Sequence, residues 1–332
     1  MTLTQRTTKG SAVSGLTGKS SRRAGFSIAA LAIAFCLSPA AQAQPVSVSL
    51  KDHPGWVQIP GALIRPDCVH EVPDGAQVEE NGDIILEGSI VAHYDACPEA
   101  PISTRPLHGA VPQYTDEPGT GNGWIEAVQE EVSLSGGDNI DKIEGTWSVP
   151  SAPSLNVGQT IFLFNGLEPT TETTIIQPVL QYGVSAAGGG NYWAIASWLV
   201  NPSNAYYSAL QTVNVGDTIQ GNTYVKSTSG SKLNWEIKAA DTTAGTHSNL
   251  AVWSSGLTWN WAFSGVLEAY NITSCSDLPA STADEFKGNT VDHGYPSFDK
   301  VTPGWYGATY TYGGPSCGFS QSVTASYNKL KW

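Results

Sequence analysis

Two residues able to do chemistry sit in segments otherwise fit for a core. Gln177 lies within "IIQPVLQY" (175–182), and Glu268 lies near the end of Trp259–Asn271, both rich in aliphatic and aromatic residues. In an extended strand, successive side chains face opposite ways. Counting in twos sets Gln177, Val179 and Gln181 on one face of the first segment and Ile176, Leu180 and Tyr182 on the other. In the second segment the same count separates Trp259, Trp261, Phe263 and Leu267 from Asn260, Ser264, Val266, Glu268 and Tyr270. A carboxyl group among apolar neighbours is desolvated, which raises its pKa and suits it to taking and returning a proton. A glutamine amide does not titrate, so it can donate to a developing oxyanion even in acid, where one such donor lowers a barrier by about 3–4 kcal/mol. The competing reading of each residue is an ordinary solvated position on a sheet.

The elements needed to position such a pair are strands. Long helical periodicity is missing, and turn signals such as "VGD", "STSGS" and "TTAGT" recur every ten or so residues. Strands are expected at Thr160–Asn165, Ile175–Tyr182, Tyr192–Val200, Thr218–Lys226, Lys232–Ala239, Leu250–Trp253, Trp259–Asn271, Trp305–Tyr312 and Phe319–Ser326, with a short helix over Trp124–Val132. Many short strands at this spacing predict an all-β, antiparallel sandwich of jelly-roll or concanavalin-like form, with a small accessory β region at the N-terminus.

Three regions are expected. Residues 1–43 carry Arg6, Lys9, Lys19, Arg22 and Arg23 with no acidic residue, then an apolar run from Phe26 to Leu37, then Ala41-Gln42-Ala43. That order reads as a cleavable export signal, with an apolar run too short to span a bilayer. Residues 44–120 form a second region ending in the Pro- and Gly-rich "PQYTDEPGTGNG", and 121–332 form the strand-rich third. Of 16 basic residues the signal takes five, leaving 11 against 29 acidic, a net −18 that disfavours nucleic acid and anionic membranes. The exported chain, expected to be a monomer, keeps Cys68, Cys97, Cys275 and Cys317. Four cysteines allow three pairings, and Cys68–Cys97 with Cys275–Cys317 is preferred because each links positions within one region. No CxxC or HExxH occurs, so neither metal nor cofactor is expected. A G-x-S-x-G match at Gly314–Gly318 lacks the following helix that exposes a serine nucleophile, and reads as a tight loop.

The order of four short motifs adds a resemblance. "GTWSVP" (145–150), "FNGLEP" (164–169), "IIQPV" (175–179) and "VGDTI" (215–219) together resemble the glutamic peptidases of the eqolisin type, over roughly Gly121–Asn271. Nine positions separate Glu168 from Gln177, about the family's gap between its acidic residue and its catalytic glutamine. The resemblance implies that Gln177 is the catalytic glutamine and Glu268 the catalytic glutamate. It implies further that Phe164 and Glu168 replace a tryptophan and an aspartate near the site, and that Trp124 lines the cleft. Gln181 and Tyr270 join the candidate cleft residues by their place beside the pair. The chain departs from the family at "YWAIASWLV" (192–200), where a wall rich in tyrosine and glutamate is expected.

The implied activity is a secreted, acid-active endopeptidase acting on protein or peptide. Its rivals are a jelly-roll glycoside hydrolase using two of Glu126, Glu168, Glu236 and Glu268, and a sandwich that binds without turnover. Residues 44–120 carry Lys51, Arg65 and Arg105 against twelve acidic residues. Charge alone cannot hold such a segment on an acidic domain, so an accessory region is expected there rather than a pro-segment.

Overall fold

The computed structural model describes residues 53–105, 121–135, 138–310 and 315–332. All belong to one compact unit, Gln44–Trp332; the expected export signal lies outside the described residues. The N-terminal region gives β1 (Val57–Ile59), β2 (Ala62–Ile64), β3 (Val69–Val72), β4 (Gln77–Val78), β5 (Asp83–Leu86), β6 (Ser89–His93) and β7 (Ile102–Ser103). The central part gives β8 (Gly121–Glu131), β9 (Ile140–Ser148), β10 (Thr160–Pro169), β11 (Ile175–Ser185), β12 (Gly188–Val200) and β13 (Ala205–Ser208). It continues through β14 (Gln211–Thr212), β15 (Thr218–Ser229), β16 (Lys232–Asp241), β17 (Thr246–Ser254) and β18 (Trp259–Ile272). The chain closes with β19 (Ala283–His293), β20 (Asp299–Val301), β21 (Tyr306–Thr309), β22 (Ser320–Val323) and β23 (Tyr327–Lys331).

Two large sheets stack as a β-sandwich. One runs β21-β8-β18-β10-β11-β12-β13-β3, with β14 also on β12; the other runs β22-β23-β19-β9-β15-β16-β17-β4-β5-β6, with β20 on β19. Ile176, Leu180, Ile195, Leu267, Trp235, Ile237 and Phe286 meet between them in the main core. Pairing is antiparallel except where the N-terminal region joins: β3 runs parallel to β13, and β4 parallel to β17. Parallel neighbours need long connections, and these two come from a distant part of the chain. The N-terminal region is thus built into one edge of both sheets. Cys68 pairs with Cys97 and Cys275 with Cys317, as the regional grouping predicts.

The third sheet, β1-β2-β7, forms a leaf that shares no backbone ladder with either large sheet. Ile59, Ala62, Leu63 and Ile64 pack from it against Trp124, Phe162, Phe164, Trp198 and Phe263 on the outer face of the first sheet. The middle of that sheet is therefore buried on both faces, which explains why every residue of β10, and β11 as far as Gly183, is buried.

The helix expected over Trp124–Val132 is instead the strand β8. Its pairing with β18 carries an irregularity at Ile125, which places Ile125, Val128 and Val132 in the main core and Trp124 and Ala127 on the outer face. One extra residue in a strand turns period two into spacings of three, and those imitate a helix.

Strict alternation also fails in β18. An extra residue between Phe263 and Val266, seen against both β8 and β10, brings Trp261 and Phe263 to the face that carries Val266 and Tyr270. Gly265 makes the bulge possible, since a Cβ there would lie 2.7 Å from the Phe286 ring. Gly265→Ala is expected to destabilise the fold by about 1–3 kcal/mol through overpacking; the denaturant midpoint measures this, and an unchanged midpoint would mean that the ring yields freely.

Candidate active site

Gln177 and Glu268 stand on the two strands that flank β10. β11 supplies Gln177 beside Gly166, and β18 supplies Glu268 opposite Phe162, so the two are offset along the intervening strand. Both are fully buried. Alternation along β11 holds as read from the sequence: Ile176, Leu180 and Tyr182 enter the main core while Ile175 and Val179 join the outer face.

The leaf completes the site. Its turn, Pro60-Gly61, joins β1 to β2 with Ile59 opposite Ala62 and φ of +85° at Gly61, a conformation that glycine adopts without strain. Gln177 Nε2 donates to the Pro60 carbonyl at 2.8 Å. The Gly61 N–H donates to Glu268, with N···O distances of 2.8 Å to Oε2 and 3.1 Å to Oε1. Those two groups belong to one peptide bond. Gln177 and Glu268 therefore hold opposite ends of a single peptide unit, the amide on its carbonyl and the carboxyl on its N–H.

Glu268 has further donors. Tyr270 Oη donates to Oε1 at 2.5 Å and Thr104 Oγ1 at 3.0 Å. Burial pushes the Glu268 carboxyl up to about 7, opposed by the Tyr270 hydroxyl, the Gly61 N–H, the Thr104 hydroxyl and the Arg105 charge. Arg105, just beyond β7, pairs with Glu168 at 2.7 Å, and both side chains are buried. Its Nη2 also donates to the Glu172 carbonyl at 3.0 Å. A buried ion pair of this kind needs both partners, because removing either leaves a charge uncompensated in low dielectric.

The remaining sequence candidates divide. Trp124 and Phe164 form the aromatic floor, with ring centroids 5.6 Å apart, and Phe263 lies 4.9 Å from Trp124. Glu168 borders the site through Arg105. Gln181 is not brought to the pair: it donates to the Gly183 and Gly188 carbonyls and accepts from Ser185 Oγ, which ties the β11–β12 turn. Glu126 accepts from Gln321 at the other side of β8, and Glu236 lies on the second sheet 4.0 Å from Lys226. Neither is brought to Glu268, and Glu168, the remaining carboxyl of the glycosidase reading, is engaged by Arg105. The G-x-S-x-G match has Gly314 outside the described residues, and its Cys317 is in a disulfide.

Sequence reading missed Pro60, Gly61, Thr104 and Arg105. The one available signal was "IPGAL", a Pro-Gly turn between apolar residues. Nothing local connects that turn to a glutamate 207 residues away.

No family model matches the chain, and no curated protein matches it. Among solved structures it is similar to Scytalido-glutamic peptidase with a transition-state analogue inhibitor, at 16% identity over 64% of this chain and 99% of that one, with a TM-score of 0.46. It is likewise similar to SCP-B, a member of the eqolisin family of peptidases in complex with the tripeptide Ala-Ile-His, at 16% identity, 64% and 99% coverage and a TM-score of 0.45. For aspergilloglutamic peptidase from Aspergillus niger the values are 17%, 52%, 98% and 0.30. Chains this far apart need share no chemistry, so the roles of Gln177 and Glu268 rest on their own geometry.

The buried acids set a pH dependence of stability. Desolvation raises Glu126 to about 8 and Glu268 and Asp284 to about 7, above their ordinary values of 4.5, 4.5 and 3.8. An acid whose folded pKa is raised costs nothing below its unfolded value, and destabilises the fold progressively as pH climbs toward the folded value. Each such group accounts for up to about 1.4 kcal/mol per pH unit inside that window. Thermal melts should therefore peak near pH 4–5 and fall toward pH 8, and Glu126→Gln should flatten the fall; equal melting temperatures at pH 5 and 8 would contradict this.

Proposed function

We propose that this protein is a secreted endopeptidase that hydrolyses peptide bonds with Gln177 and Glu268 and works in acid. The observation that carries the reading is the Pro60–Gly61 peptide unit held between the two side chains, carbonyl toward the amide and N–H toward the carboxyl. That is the polarity hydrolysis needs. Glu268 as carboxylate would take a proton from water while the water oxygen bonds to the carbonyl carbon. The carbonyl π electrons would move to oxygen, where Gln177 Nε2 stabilises the charge. When the C–N bond breaks, the same carboxyl returns its proton to the departing nitrogen, leaving a carboxylic acid and an amine.

Other features of the face support a peptide as ligand. Gln177 Oε1, Trp124 Nε1 and Trp198 Nε1 are buried without a hydrogen-bond partner among the described residues. A peptide backbone offers donors and acceptors to such groups at short intervals, and the aromatic floor offers apolar area to its side chains. Glu168 would border the bound peptide. The two disulfides support an oxidising, exported setting. Among the described residues no helix is long and apolar enough to cross a membrane.

Digestion of a denatured protein by the full chain between pH 3 and pH 7 tests the assignment. Cleavage should resist chelators, fall about 10²–10³-fold in Gln177→Ala, and fall at least as far in Glu268→Gln. A Glu268→Gln variant with undiminished activity would falsify the role given to that residue. Tyr270 supplies a sharper check, since its hydrogen bond holds the Glu268 pKa down. Tyr270→Phe should shift the acid limb of the pH–rate profile to higher pH; a profile that keeps its position while only its height drops would leave Tyr270 as packing alone.

A further inference from the structure

The face that carries Gln177 and Glu268 has no room for substrate in this structure, because the leaf fills it. Two parts of the N-terminal region are attached in different ways. β3 and β4 are laddered into the two sheets, and Ala76, Val78 and Ile84 lie in the main core. Around them the Gly75 N–H donates to the Asn249 carbonyl, the Ala251 N–H to the Ala76 carbonyl, and Asn234 Nδ2 to Gln77 Oε1; Lys232 pairs with Glu80 at 2.8 Å. This part cannot leave without unravelling two sheet edges.

The leaf has no such ladder. It touches the first sheet face-on, through apolar side chains, the peptide unit on Gln177 and Glu268, the Thr104 hydroxyl between Glu268 and Tyr270, a Gln58 Nε2 bond to Thr160 Oγ1 at 3.3 Å, and Arg105 with Glu168 and the Glu172 carbonyl. Face-on packing separates without breaking a strand-to-strand register. Where the chain passes from leaf to laddered part after β2, and back before β7, stand Cys68 and Cys97, joined to each other. The disulfide ties both crossings at one point.

We propose that the leaf is a hinged internal pseudosubstrate: Pro60-Gly61 occupies the dyad in the resting protein, and the enzyme opens by lifting the leaf about Cys68–Cys97 while β3–β6 stay in the sheets. This rests on the peptidase reading of Gln177 and Glu268. The turn resists cleavage for two geometric reasons. The Gly61 N–H contacts both Glu268 oxygens, where the attacking water would have to sit. A tight two-residue turn also holds its peptide bond away from the extended form that an open cleft receives.

Gly61 is the residue on which to test this. At φ +85° a side chain is strained, and a Cβ would meet Arg105 Cδ at 3.3 Å and Ile175 Cγ2 at 3.5 Å. Gly61→Val should loosen the leaf and leave the dyad intact. In the full chain, Gly61→Val is expected to cleave a denatured protein at least about fivefold faster than the parent, with mass spectrometry showing residues 53–105 still attached. Parent and variant cleaving at equal rates would overturn the proposal, as would activity that appears only after residues 53–105 are lost. Hydrogen exchange of the parent chain and of Gly61→Val, followed without added substrate, needs no turnover. Peptides covering 56–64 and 101–105 should exchange at least about tenfold faster than those covering 69–86, and Gly61→Val should widen the gap. Uniform exchange across 56–105 would exclude the hinge even in an inactive protein. Differential exchange with no cleavage by either form would keep the hinge and refute the peptidase reading instead.

Discussion

A buried carboxyl and a buried carboxamide both need hydrogen-bond partners, and here one peptide unit serves the two of them. Leaving a buried polar group unpaired costs about 1–3 kcal/mol, and more when the group is charged. Glu268 meets that requirement with the Gly61 N–H, Tyr270 and Thr104, and Gln177 meets it in part with the Pro60 carbonyl. Much of the N-terminal architecture follows from this constraint. The leaf brings a turn to one point on the sheet, and the corner it presents there is the buried Pro60-Gly61. Arg105 must approach Glu168 in the same place, so β7 returns beside β2.

The sandwich provides the rigid frame on which these contacts are set. β10 contributes no hydrogen-bonding group to the peptide unit, yet it spaces β11 from β18 and so sets how far apart Gln177 and Glu268 stand. Its residues are buried on both sides, between the main core and the aromatic floor. A central strand covered on both faces is the least able to slip, because a one-residue shift would exchange its entire set of buried side chains. The bulge in β18 is part of the same frame. Without the extra residue near Gly265, either Trp261 and Phe263 or Glu268 would turn into the main core, and the site would lose its floor or its acid.

The acidity of the chain fits this arrangement in one respect and strains it in another. Buried acids at Glu126, Glu268 and Asp284 favour the folded state when protonated. Under the proposed function a protonated Glu268 is the wrong form for a base, so the covered site would be chemically idle under the conditions that suit the fold best. Exposing Glu268 to water would remove the desolvation that raised it, so the proposed function puts the working carboxylate in an uncovered form of the site.

How much of this was legible before folding depends on the range of the interaction. Gln177 on the outer face of β11 could be read from period two alone, because nothing interrupts that strand until Tyr182. The all-β sandwich, most strand positions and the grouping of the four cysteines also followed from local pattern, since turns, alternation and regional spacing are properties of neighbouring residues. Trp124–Val132 and the faces of β18 were misread for one reason: a bulge adds a residue to one strand only, and its cause lies in the partner strand and in Phe286 packing against Gly265, not in the segment itself. The amino-acid sequence by itself determined which residues could do chemistry and that they would lie on strands. Only the tertiary structure decided that Gln177 and Glu268 share one peptide unit and that the unit belongs to the chain's own Pro60-Gly61, because burial, register and the return of a distant segment are fixed by contacts across some 200 residues that no local pattern encodes.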